Sequence, residues 1–179
     1  MPRSYSLEDL PVEEWTLGLP VRGDGTLFVM LPLLDPDDWS DVRGHVRFTC
    51  NDCTLGDDHA KMKLGDDYFG DIEFGHLTVG NVCSEIDFDD GRMTMTTTWR
   101  SDDFTLDAKI DGVLAKRADD IELDGCIAFR GTDALLRRDP KTHAFVSTTG
   151  APLDEHGNYT IKIEGTLGGM KNLGKTCEL

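Results

Sequence analysis

The feature of this sequence that most constrains its fold is a period-two alternation of apolar and polar residues. In one segment Leu106, Ala108 and Ile110 alternate with Asp107 and Lys109. Successive side chains of a β-strand point to opposite faces, so this pattern predicts strands with one apolar and one polar face. Such two-sided strands are typical of antiparallel sheets, in which one face packs on a core and the other meets water.

The same alternation continues into the C-terminal part of the chain, and turn signals separate the alternating runs. Asp89, Asp90 and Gly91 between two such runs indicate a tight hairpin. Short connections place sequence neighbours side by side, so we expect a meander. The residues expected to form the apolar core, or to line an apolar groove, are Leu106, Ile110, Ile121, Leu123, Ile127, Phe129, Tyr159, Ile161 and Ile163.

The predicted fold is mainly β, a curved antiparallel meander sheet that forms an open groove or a partly closed barrel. One or two short helices should cap it. Residues 132–138 predict a helix capped by Thr132, whose Leu135 and Leu136 could plug an open end of the sheet, and residues 35–39 predict a single capped turn. We expect residues 1–24 to be a lead-in segment and residues 25–179 to form one antiparallel β domain.

The charge balance excludes one class of partner. Acidic residues outnumber basic ones 34 to 18, for a formal charge of −16. The sequence has no basic stripe that could neutralise phosphates and release counterions, so nucleic acid is not an expected partner. No run approaches the roughly 18 apolar residues that a membrane helix needs, and the N-terminal residues carry no apolar signal core.

The same charge excess predicts a rise in melting temperature with salt. With 34 acids against 18 bases, net repulsion should dominate at low ionic strength. Sodium chloride shortens the Debye length from about 30 Å at 0.01 M to about 3 Å at 1 M, so screening should relieve more repulsion than attraction. Thermal melts across this range should show the steepest rise at low salt, whereas glycerol should not reproduce it. A flat or falling melting temperature would mean that local acid–base pairs outweigh the net charge.

The five cysteines leave several pairings open. Cys50 and Cys53 form a C-x-x-C motif after an expected strand and before a turn. A zinc site would need a second ligand pair of similar spacing, and a redox site would need the motif at a helix N-terminus. A local disulfide is favoured over free thiols and over a metal or redox site. A second disulfide between Cys126 and Cys177 would tie the C-terminal tail to a preceding strand.

The sequence shows no specific catalytic or metal-binding motif. The five histidines are dispersed, and no pair has the spacing of a metal site. Adjacent acids such as Asp89 and Asp90, or Asp102 and Asp103, are interpreted as solvated turn residues rather than calcium ligands or a glycosidase pair. We therefore expect no catalytic residue, no metal and no cofactor, and a protein that is not an enzyme.

Three stretches in a fixed order resemble a known family. The first is CNDCTLG at residues 50–56 with KMKL at 61–64. The second is DIEFGHLTVG at 71–80, which leads to the turn at 89–91. The third is ALLRRDPK at 134–141, followed by GNYTIKIEGTLG at 157–168. Together they resemble the periplasmic part of protein N of the bacterial type II secretion system, in its delta-proteobacterial form.

This resemblance implies a periplasmic protein that is associated with the inner membrane through a segment not present in this chain. Its expected partners are other secretion-system proteins of the cell envelope. The family has no catalytic residues to carry over, and it suggests kinship with proteins whose long sheets curl into a groove that can hold lipid. The periplasm is oxidising, which favours the disulfide between Cys50 and Cys53.

Three functions follow from these observations, and the structure can discriminate between them. A non-catalytic assembly or interaction module should have a packed interior and a free edge strand. A protein that binds lipid or another apolar ligand should keep an open trench. That trench would be lined by Leu106, Ile110, Ile121, Ile127, Ile161 and Ile163. A hydrolase, the least supported function, should show two facing carboxylates in a polar cleft.

Overall fold

The computed structural model describes most of the chain. The described residues are 3–7, 10, 20–32, 37–57, 61–63, 71–73, 76–147, 150–169, 171–172 and 175–179. Its strands are β1 (Arg3–Ser6), β2 (Val21–Met30), β3 (Gly44–Leu55), β4 (Lys61–Lys63), β5 (Asp71–Glu73), β6 (Leu77–Asp89), β7 (Arg92–Arg100), β8 (Phe104–Val113), β9 (Glu122–Gly131), β10 (Tyr159–Thr166) and β11 (Lys171–Asn172).

Nine of these strands form one antiparallel sheet in the order β1-β2-β3-β6-β7-β8-β9-β10-β11. The order follows the chain except that β4 and β5 form a separate two-stranded hairpin between β3 and β6. Within the described residues the two outermost strands, β1 and β11, do not pair with each other, so the sheet is open. The predicted mainly-β antiparallel meander is therefore confirmed, and the sheet is not closed into a barrel.

The hairpin between β6 and β7 shows why local sequence determines this topology. Asp90 and Gly91 both have positive φ angles, of 47° and 72°, and Asp89 pairs with Arg92 across the turn. Two residues with positive φ make the turn whose twist matches that of the flanking strands, and glycine adopts this conformation without a steric cost. The predicted turn at residues 89–91 is confirmed.

The register of the sheet places the alternating residues on two distinct faces. In β8, Ala108 and Ile110 are buried, whereas Lys109 and Asp111 are exposed. Leu106 lies opposite Phe129, which in turn lies opposite Tyr159, so the apolar residues form rows across neighbouring strands. A shift of one residue would exchange the two faces, so the apolar pattern holds the register.

Two short helices follow β9. The first, α1 (Asp133–Arg138), begins at Thr132, whose side chain accepts a hydrogen bond from the Leu135 amide at 3.3 Å. This confirms the predicted helix. The second, α2 (Pro140–Ser147), lies outside the two segments for which the sequence predicts helix or turn. Asp139 accepts hydrogen bonds from Thr142 and caps a new helix, in which proline is well suited to the first position.

Two further expectations differ from the structure. Residues 3–6 and 21–24, assigned to a lead-in segment, are strand residues of the sheet, so the boundary expected at residue 25 falls inside β2. Strand β1 was not predicted, because its sequence is polar and an exposed edge strand needs no apolar alternation. The turn expected at residues 35–39 lies partly outside the described residues, and residues 37–39 are not helical. The described helices are all too short and too polar to cross a membrane.

Candidate functional site

The apolar face of the sheet carries three packed clusters, two of which lie toward opposite ends of the strands. The first cluster contains the buried residues Leu77, Phe104, Phe129 and Leu135. The second contains Val42, Ile110, Leu114, Ile121 and Leu123. Each combines strand residues with side chains from other segments, since Leu135 belongs to α1 and Val42 to the segment before β3. These additional side chains cover the ends of an otherwise open sheet.

The nine residues predicted for the core or groove divide between these clusters. Phe129 is buried in the first cluster, and Ile110, Ile121 and Leu123 are buried in the second. The others are half-buried and pack against the first cluster (Leu106, Ile127, Tyr159, Ile161) or the second (Ile163). A single open trench lined by the six expected residues is therefore not formed, because Ile110 and Ile121 lie inside a packed cluster.

The apolar face also carries half-buried residues at the margins of these clusters, and we call five of them the central strip. It consists of the half-buried residues Phe48, Ile86, Met95, Ile127 and Ile161. Ile86 lies opposite Met95, and Ile127 lies opposite Ile161, so the strip runs across the strands.

Few polar groups share this face. The Ser84 and Thr97 hydroxyls hydrogen-bond to each other at 2.8 Å. The buried indole Nε1 of Trp99 has no hydrogen-bond partner, although its ring packs against Phe104 with centroids 4.6 Å apart. An unsatisfied buried donor costs free energy, so the burial of the Trp99 ring must offset that cost.

An ion pair between a buried carboxylate and a partly exposed guanidinium fastens α1 to the sheet. The Arg138 guanidinium donates to both carboxylate oxygens of Asp103, at 2.7 and 2.6 Å, and also to the carbonyl of His76 at 3.0 Å. The Thr78 amide donates to the same carboxylate at 2.7 Å. The Asp103 side chain is fully buried, whereas that of Arg138 is 46% exposed. The pair joins the start of β6, the β7–β8 turn and the end of α1.

Asp103 corrects the interpretation of the adjacent acids as solvated turn residues. Burial alone would raise its pKa, but the hydrogen bonds from Arg138 and Thr78 outweigh this effect and hold the pKa below its ordinary value. Asp103 is therefore ionised at neutral pH. Because Arg138 reaches it from 35 residues further along the chain, the local sequence around Asp102 and Asp103 gave no signal of this role.

The opposite face of the sheet is polar and carries cross-strand ion pairs. Arg100 pairs with Asp107 at 2.6 Å, and Lys162 pairs with Asp124 at 2.6 Å. Arg47 and Glu85 lie 3.2 Å apart on neighbouring strands. Exposed pairs of this kind contribute little to stability, typically below about 1 kcal/mol each. This face is suited to contact with water or with a polar partner.

Both expected cysteine pairs are disulfides in the structure. Cys50 and Cys53 are joined within β3 and lie buried beside Leu7 and Val79 in a third cluster. Cys126 and Cys177 are joined over a separation of 51 residues, and this bond attaches residues 175–179, which we call the tail, to the polar face of β9. Cys83 is a free thiol.

We expect peptide mapping without reductant to find these two links in protein made in an oxidising compartment, with Cys83 unlinked. Because the Cys126–Cys177 bond closes a long loop, Cys177→Ala should lower the free energy of unfolding by about 2–4 kcal/mol in denaturant melts. Cys83→Ala is the control and should change it by less than about 1 kcal/mol. Added zinc should not raise the melting temperature. Stoichiometric zinc in purified protein would contradict the pairing of Cys50 with Cys53.

The edges of the sheet offer unpaired backbone groups. β1 pairs with residues 26–29 of β2 on one side, and no described strand pairs with its other side. At the opposite end, β11 pairs with β10 only at Ile163 and Glu164. An edge strand presents a row of free N–H and C=O groups to which an extended segment of another chain can add.

The described residues contain no group of three or more His, Cys, Asp or Glu side chains that could hold a metal ion. Asp103 and Arg138, the most deeply placed charged pair, neutralise each other and link elements of the fold. A scan against protein-family models and searches of curated proteins and of solved structures found no match to this chain.

Proposed function

We propose that this chain is a non-catalytic interaction module of the bacterial cell envelope that serves protein secretion, as its resemblance to protein N of the type II secretion system implies. The observation that carries the proposal is the open sheet. Both ends of its apolar face are closed by packed clusters, while the outer edge of β1 keeps its backbone groups unpaired among the described residues. A packed interior with a free edge strand is the arrangement expected of a module that binds a partner protein.

The two disulfides support a location outside the cytoplasm. Disulfides persist in oxidising compartments such as the periplasm and are rare in the reducing cytosol of most organisms. The bond between Cys126 and Cys177 joins residues 51 positions apart, and its stabilising effect would be lost if a reducing compartment broke it. The two disulfides are therefore consistent with a location in the cell envelope.

Site-specific photocrosslinking tests this function. A photoreactive residue in place of Ser4, which is exposed on β1, should crosslink to a purified periplasmic component of the secretion system. The control position is Thr96, which is exposed in the middle of the polar face on β7. We expect a crosslinked product from position 4 and none from position 96. Equal products from both positions, or none with any component of the system, would refute the proposal.

A second candidate function is the binding of lipid or another apolar ligand, and the central strip favours it. Its five apolar residues remain half-buried at the margins of the packed clusters. Covering them with an acyl chain would remove more apolar surface from water, at roughly 25 cal/mol per Å². Such a ligand would lie across the strands, because the strip does.

Native mass spectrometry of freshly purified protein tests this second function. A bound lipid should appear as an added mass, and Ile161→Gln should reduce it because Ile161 lies in the central strip. Lys162→Gln is the matched control, since Lys162 points to the polar face one residue further along β10. A spectrum with no added mass, or an equal loss from both variants, would exclude the central strip as a lipid site.

A further inference from the structure

A hollow of about 910 Å³ lies on the polar face of the sheet, on the side opposite to the central strip. Its walls are strands β8 and β9, the loop that precedes β10, and the tail. The loop is held in shape by Asp154, which accepts hydrogen bonds from the amides of His156 and Asn158 at 2.9 and 2.8 Å. The tail is held by its disulfide to Cys126. The volume falls within the range of about 300–1,000 Å³ found for ligand sites.

Two apolar side chains line this polar hollow. Leu153 is 55% exposed and Leu179 is 57% exposed, and they are the two most exposed large apolar side chains in the described part of the chain. Single exposed leucines are ordinary, but here one comes from the loop and one from the tail, and both border the same concavity. They offer a contact for an apolar group that enters the hollow.

Apart from His156, every titratable side chain in the remaining lining is acidic. Asp107, Asp154, Glu155 and Glu178 line the hollow, and none of its described lining residues is a lysine or arginine. Arg100 neutralises Asp107 from outside the hollow. Asp154 accepts hydrogen bonds, of which the one from the Asn158 side chain has the largest effect, and these bonds lower its pKa. Asp154 is therefore charged at neutral pH. An occupant that complements this lining carries positive charge beside its apolar group.

We propose that this hollow is a docking site for a short segment of a partner protein that bears an apolar side chain next to lysine or arginine. The apolar side chain contacts Leu153 and Leu179, and the basic side chain lies against Glu155 and Glu178. The site lies near the β10 end of the sheet, whereas the edge of β1 is at the other end. This inference therefore goes beyond the proposed function and does not depend on pairing at β1.

Fluorescence anisotropy with labelled hexapeptides tests the site. Three peptides serve as probes. In the first leucine alternates with lysine, in the second serine alternates with lysine, and in the third leucine alternates with glutamate. We expect the leucine–lysine peptide to bind most tightly, because only it supplies both kinds of contact. Leu153→Ser should weaken its binding about fivefold, as the loss of a partly buried leucine contact implies. Glu155→Gln should weaken binding at low salt and flatten its salt dependence.

Matched variants elsewhere distinguish this site from general attraction to an acidic protein. Val113→Ser removes a side chain that is 48% exposed at the other end of β8, outside the hollow, and Asp89→Asn removes an exposed charge at the β6–β7 turn. Neither should change the affinity by as much as twofold. Equal affinities for the two lysine peptides, or equal effects of Leu153→Ser and Val113→Ser, would overturn the proposal. So would binding of dodecylamine in the absence of any peptide binding.

Discussion

Replacing Arg138 by methionine is expected to lower the free energy of unfolding by about 3–5 kcal/mol, the cost of leaving a buried charge without its partner. The Asp103 carboxylate is fully buried, and Arg138 donates two of the hydrogen bonds that it accepts. Arg137→Met is the matched control, because Arg137 is exposed on the same helix. It should change stability by less than about 1 kcal/mol in urea melts.

The pH dependence of this loss identifies its cause. In the wild-type protein the pKa of Asp103 lies below its value in the unfolded chain, which is near 3.9. The ionised pair therefore adds stability above about pH 4, and this stability is lost as the pH falls through the lower folded-state pKa. Without Arg138, burial raises the pKa of Asp103. Acid then protonates Asp103, and the variant no longer carries the cost of a buried, unpaired charge.

Urea melts at pH 7 and pH 3 should therefore show a smaller difference between wild type and Arg138→Met in acid. The same difference at both pH values would mean that lost packing of the arginine side chain, rather than the buried carboxylate, causes the effect. A loss of less than about 1 kcal/mol at pH 7 would show that α1 is held to the sheet without this ion pair.

Truncating Leu135 should have the second large effect. Leu135 is fully buried in the first cluster, whereas its neighbour Leu136 is 44% exposed. Leu135→Ala should cost about 2–5 kcal/mol, because it removes buried apolar surface and leaves a cavity between α1 and Phe129. Leu136→Ala lies on the same helix and should cost less than about 1 kcal/mol. Similar losses from the two variants would mean that α1 does not pack on the sheet through Leu135.

The effect of Leu135→Ala also tests the closure of the sheet's end. Leu135 packs with Phe104 and Phe129. We expect amide hydrogen exchange to become faster at the ends of β8 and β9 beside α1 and to stay unchanged at the β6–β7 turn, which lies beside the second cluster. Uniformly faster exchange would show that the helix stabilises the domain as a whole rather than this end of it.

The sequence by itself determined the type of sheet, the two faces of its strands and the position of the hairpin at Asp90 and Gly91. These features depend on contacts within a few residues, so the backbone period and the φ preference of glycine predict them. The cap of α1 is predictable for the same reason, since the Thr132 side chain and the Leu135 amide that it caps lie three residues apart. The family resemblance adds an expectation about function that these local patterns do not carry.

Only the tertiary structure decided what covers the sheet and which acids are buried. The apolar pattern predicted which residues face inward, but it did not predict that Ile110 and Phe129 belong to separate clusters. That division depends on Val42 and Leu135, which approach from segments distant in sequence. Asp103 and Asp102 have the same side chain, and only Asp103 is buried, because Arg138 can reach it. A buried charge is tolerated only where the fold places an oppositely charged partner beside it. The linear sequence does not show which two charged residues the fold places together.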